Sequence, residues 1–115
     1  MNLESVIEKR GQHCAEELRF TRKLILDSHL GIKESVKYGL PFFSLKRIMA
    51  YMDVQKGKPL VAFMNGTKFG ELSKELDFTG RKRVGHFFLD DLDEQRHEIL
   101  CALIDTAVQY DLENF

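Results

Sequence analysis

Between residues 42 and 65 the pattern changes to a strand-like period of two, while the segments on either side repeat with helical spacing. A chain that carries both periods folds as helices packed on a sheet. Residues 42–47, 48–55 and 60–65 read as three strands, and Lys56, Gly57, Lys58 and Pro59 as the hairpin turn between the last two. A fourth strand, 84–89, follows a polar, basic loop. On the second strand Ile48, Ala50, Met52 and Val54 share one face, and Met49, Tyr51, Asp53 and Gln55 share the other.

The flanks supply the helices. Leu3, Val6 and Ile7 mark one or two turns before Gly11 interrupts them. Cys14, Leu18, Thr21 and Ile25 line an amphipathic helix over 13–27, with Gly31 as a residue beyond its end. A short helical piece over 32–38 is stopped by Gly39 and Pro41. Thr67 caps a short helix over 68–75. Asp91 and Glu94 form a capping-box variant for a last helix that runs to Tyr110. Ile99, Leu100, Leu103, Ile104, Ala107 and Val108 make its apolar stripe. The expected fold is a two-layer α+β domain. It has a mainly antiparallel four-stranded sheet with the N- and C-terminal helices packed on one face. Its core is Leu18, Ile25, Ile48, Ala50, Met52, Leu60, Ala62, Leu100, Leu103, Ile104 and Ala107.

A chain of 115 residues makes one domain, 1–115, in which 1–12 reads as a helical N-terminal extension. Seventeen basic residues against eighteen acidic ones leave a net charge of -1, which argues against nucleic acid as a partner. No apolar run approaches the roughly 18 residues of a membrane span, and the charged start lacks a secretory signal's apolar core. Cys14 and Cys101 form no CxxC pair and read as reduced thiols, which places the protein in the cytoplasm.

Several groups of residues are candidates for function. Nine phenylalanines and three tyrosines concentrate around the strands. Alternation sends adjacent Phe42 and Phe43, and adjacent Phe87 and Phe88, to opposite faces. Tyr38, Phe43, Met49, Tyr51 and His86 are the candidate ligand or interaction face. Left uncovered, that face would be a ligand pocket or an isologous homodimer surface centred on Met49 and Tyr51. Arg81, Lys82 and Arg83 follow a Gly turn and form a candidate anion-binding run, or else a charged guard beside a hydrophobic strand. Asp93, His97 and Cys101 recur every four residues on the last helix, a spacing open to a transition metal. Their bland reading is the border of the apolar stripe. Glu4, Glu8, Glu16 and Glu17 could form an acidic helical surface, although basic neighbours offset it. No GxSxG, HExxH, P-loop or GxGxxG motif occurs, so enzymatic activity is not the expectation.

The run ESVKYGLPFF, a hairpin closing at PLVAFMNG and the entry TGRKRVGHFFL together resemble the YdhG-like family, the bacterial domain of unknown function 1801. The resemblance spans Glu16 to Asp111. Its motifs fall on Tyr38, Gly39, Pro41, Gly66, Gly80, Arg81 and Arg83. Tyr38 stands where the family often has Trp, and Lys58–Pro59 where it often has His. The resemblance implies an antiparallel sheet with helices on one face. Some members are described as frataxin-like iron carriers, so it also implies iron as an alternative cargo. The combined expectation is a small cytoplasmic binding or interaction domain. It takes an unidentified small molecule or protein at the aromatic sheet face and has no cofactor of its own.

Overall fold

The computed structural model describes residues 3–10 and 13–115. Gly11, the expected helix breaker, lies outside them, as do residues 1, 2 and 12 of the expected N-terminal extension. The elements are α1 (Leu3–Arg10), α2 (Ala15–Asp27), β1 (Lys33–Lys37), β2 (Leu40–Ser44), β3 (Ile48–Gln55), β4 (Lys58–Phe63), β5 (Gly85–Phe88) and α3 (Glu94–Asn114). Two 3-10 turns, Gly66–Lys68 and Gly70–Glu75, lie between β4 and β5. The strands make one antiparallel sheet in the order β1-β2-β3-β4-β5.

The sheet therefore has five strands, not four. The additional one is β1, where the local pattern predicts a short helix. Tyr38 and Gly39 take φ of 54° and 71°. Two successive left-handed residues form a type I′ turn, whose twist matches that of paired strands. The turn closes Lys37 against Leu40, and pairing along the whole of β2 overrides the local helical preference. The same turn recurs at Lys56 and Gly57, with φ of 52° and 76°, and closes Gln55 against Lys58.

Two further local readings change. The 68–75 segment is two 3-10 turns rather than one helix, broken at Gly70 with φ of 63°. Asp93, not Asp91, caps α3, its carboxylate accepting the Arg96 N–H at 2.8 Å. Asp91 is left-handed, with φ of 55°, in the turn just before.

One buried cluster joins Leu18 and Ile25 of α2, Leu100, Leu103, Ile104 and Ala107 of α3, and Phe43, Ala50, Met52, Val61, Phe63 and Phe87 of the sheet. Register explains the sheet's share. Phe43 lies opposite Ala50 and Ala50 opposite Phe63, while Met52, Val61 and Phe87 form the next row. Leu3 and Ile7 belong to the same cluster, so α1 is part of the core. Leu60 and Ala62 are buried, but register puts them on the sheet's other face, opposite Asp53 and Tyr51. Ile48 is only half-buried.

Candidate functional site

On that other face, Phe42, Tyr51, Ala62 and His86 align in one cross-strand row. Asp53, Leu60 and Phe88 form the next. Phe42, Leu60 and Ala62 are buried yet stand outside the cluster that holds the helices. Phe42 is shielded by its own aromatic neighbours. The Phe42 and Tyr51 rings stack with centroids 5.1 Å apart, and Tyr38 approaches Phe42 at 6.2 Å. Tyr38 is otherwise exposed, because its turn carries it past the ends of the strands.

His86 is the polar centre of this face. It is 3% exposed, and its Nε2 is buried with no hydrogen-bond partner among the described residues. The backbone N–H groups of His86 and Asp77 each donate to the other's carbonyl at 2.9 Å, covering part of β5's outer edge. Arg81 lies alongside, donating to the carbonyls of Val84 at 3.1 Å and Asp77 at 2.8 Å. Burial, and then the charge of Arg81, lowers the His86 pKa, while Asp77 and Asp53 oppose the shift. The ring is accordingly neutral at pH ~7, with one nitrogen able to donate and the other to accept. Burial and then Asp53 raise the Tyr51 pKa, so its hydroxyl stays protonated.

The structure brings Tyr38, Tyr51 and His86 together on this face and removes Phe43 and Met49 from it. Phe43 is fully buried in the helix-side core. Met49 is buried in the same core because of a β-bulge. Phe43 pairs with Ala50 but Ser44 pairs with Ile48, which leaves Met49 as an extra residue on β3. Such a residue steps out of the alternation. Phe42 and Phe88 take their places, which adjacency to Phe43 and Phe87 signals without saying which of each pair faces which way.

The basic run does not act as one unit. Arg81 is committed to carbonyls, Lys82 points to solvent, and Arg83 lines a groove of about 470 Å³ with Arg47 and Lys68.

The candidate metal residues are also dispersed. Asp93 is occupied as the cap of α3. His97 Nε2 lies 3.8 Å from Cys101 Sγ, and its ring packs at 5.5 Å on Phe20. Burial, followed by Asp105 and Glu98, pushes the Cys101 thiol up and away from the metal-binding thiolate. Among the described residues no group of three or more His, Cys, Asp and Glu side chains is placed to hold a metal ion. Glu4 and Glu8 pair with Arg19 at 2.6 and 3.4 Å. Glu16, Glu17, Asp90, Asp91, Asp93 and Glu94 instead surround a shallow depression of about 700 Å³ floored by Phe20 and His97.

No protein-family model matches the chain, and no curated protein and no solved structure is found to match it. The helices and five-stranded antiparallel sheet make it an α+β protein. None of its described helices is long and apolar enough to cross a membrane.

Proposed function

We propose that this protein is a binding domain that takes a small, flat, largely apolar molecule on the sheet face of Phe42, Tyr51, His86 and Phe88. The observation that carries the reading is the buried, unpartnered Nε2 of His86 beside the stacked Phe42 and Tyr51 rings. A buried polar atom without a partner costs about 1–3 kcal/mol, a cost that a ligand's own hydrogen-bonding group would recover. The aromatic pair supplies a wall against which a ring stacks. The two-layer architecture, with the helices on one face, is part of the same proposal. Its support is that Phe42, Leu60 and Ala62 stand outside the core that the helices share. The YdhG-like resemblance agrees with this arrangement, and two free cysteines agree with a reducing, cytoplasmic setting.

Titration of the isotope-labelled protein with indole and with quinoline tests the reading. Saturable shifts centred on Tyr51, His86 and Phe88, abolished in Tyr51→Asp, are expected. Shifts spread evenly over the chain, or none, would remove it. The same face could instead close on a second copy of the chain. Met49, one of the two anchors expected at the centre of that dimer, is buried in the core. Light scattering that returns twice the 13.4 kDa chain mass, and the single mass in Tyr51→Asp, would favour that use over a ligand.

A further inference from the structure

We propose that the groove between the β2–β3 turn, the first 3-10 turn and the loop entering β5 binds a small organic phosphate. Arg47, Lys68 and Arg83 reach it from those three separate segments. No Asp or Glu side chain lines it. Among the described residues none of these three cations is paired with a carboxylate. In a chain with 18 acidic residues against 17 basic ones, that is an unusual local excess of positive charge. An adjoining depression shares Lys68 and carries Asp105 and Glu113, so the excess is confined to one side of Lys68.

Packing holds the groove's geometry. The carboxylate of Asp111, buried on α3, accepts the backbone N–H groups of Lys46 at 2.7 Å and Arg47 at 3.2 Å. This fixes the turn that carries Arg47. The Arg47 guanidinium then lies 4.8 Å above the Phe115 ring, and Phe115 meets Tyr110 edge-on at 6.1 Å. Stacking occupies the flat face of the guanidinium and leaves its N–H edge for an anion.

The residue types define the ligand. Two arginines and a lysine suit a dianionic phosphate monoester, whose oxygens accept several charge-assisted hydrogen bonds at once. Ile48, Met64, Tyr110 and Phe115 form an apolar side that suits the organic body of such an ester. At about 470 Å³ the open groove has room for a phosphate and one ring. It uses none of the residues of the aromatic sheet face, so it stands independently of the reading given above.

The test titrates phenyl phosphate, inorganic phosphate and phenol separately into the isotope-labelled full chain and reads backbone amide shifts. Phenyl phosphate is expected to give saturable shifts at Arg47, Lys68 and Arg83, inorganic phosphate weaker ones, and phenol none. Arg83→Gln and Lys68→Gln should each weaken phenyl phosphate about tenfold, because a charge-assisted hydrogen bond is lost. Lys82→Gln removes the same charge one residue away and should leave binding unchanged. All three side chains are exposed, so the variants should retain the wild-type spectrum. The proposal is overturned if phenyl phosphate shifts these amides no more than phenol does. Equal weakening by Lys82→Gln and Arg83→Gln, or inorganic phosphate binding as tightly as phenyl phosphate, would overturn it as well.

Discussion

The buried carboxylate of Asp111 accepts the backbone N–H of Lys46 at 2.7 Å across 65 residues of sequence. It also takes the N–H of Arg47, and Lys46 Nζ donates to the carbonyl of Leu112 at 3.2 Å. One side chain thus ties the β2–β3 turn to the last turns of α3. Asp111→Ala leaves both amides without their acceptor and should cost about 2–3 kcal/mol. Asp111→Asn keeps one acceptor oxygen and should cost less. Urea unfolding with an unchanged slope would report both values. A negligible loss in Asp111→Ala would mean that water replaces the carboxylate.

His86 makes stability depend on pH. Its folded pKa is lowered from the ordinary 6.5, first by burial and then by Arg81. Between the two values the unfolded chain binds more protons than the folded one, so stability rises with pH across that window. The contribution is complete above the unfolded pKa of ~6.5 and is lost as pH falls from there toward the folded value. His86→Gln removes the titrating group. Urea midpoints taken at about pH 7.5 and about pH 5.5 should differ more in the wild type than in this variant. Equal differences would show that His86 titrates normally.

Thr21 is fully buried on α2, and its Oγ1 has no hydrogen-bond partner among the described residues. Replacing the hydroxyl by a methyl of nearly the same shape removes an unpaired polar group from the core. Thr21→Val should therefore stabilise the fold by about 1 kcal/mol. Thermal unfolding is a sufficient readout. A destabilised variant would indicate a hydrogen bond made by that hydroxyl in solution.

Gly85 is needed for space. A Cβ at this position would stand 2.8 Å from Leu76 Cβ and 2.9 Å from Phe78 Cε1. Leu76 Cβ is fixed to its backbone and cannot swing aside, so the β5 edge would have to part from the 76–78 segment. Gly85→Ala should cost about 1–3 kcal/mol, the usual cost of overpacking. Accelerated amide exchange at Asp77 and His86, whose paired backbone bonds join the two segments, would locate the damage. Unchanged exchange there would contradict this account.

Much of the architecture is written in local patterns. β3 occupies the expected run 48–55, and Gly57 marks the turn after it. The apolar stripe of α3 reappears as Leu100, Leu103, Ile104 and Ala107 in the core. The candidate site was partly legible too. Tyr51 and His86 were recoverable because each sits in a regular strand, where the face follows from counting by two.

What the sequence by itself determined is the set of elements whose signal is periodic: α1, α2, α3, β2, β3, β4 and β5, each within a few residues of its bounds. The tertiary structure alone decided the rest. Residues 33–37 became a strand because β2 offers them a complete ladder, which local propensity does not register. Phe43 and Met49 went to the core because pairing and a one-residue bulge set their faces. The convergence of Arg47, Lys68 and Arg83 was likewise invisible, since no short-range pattern links residues so far apart. Periodicity acts over a single turn or strand, whereas faces, bulges and grooves depend on which distant segment each element pairs with.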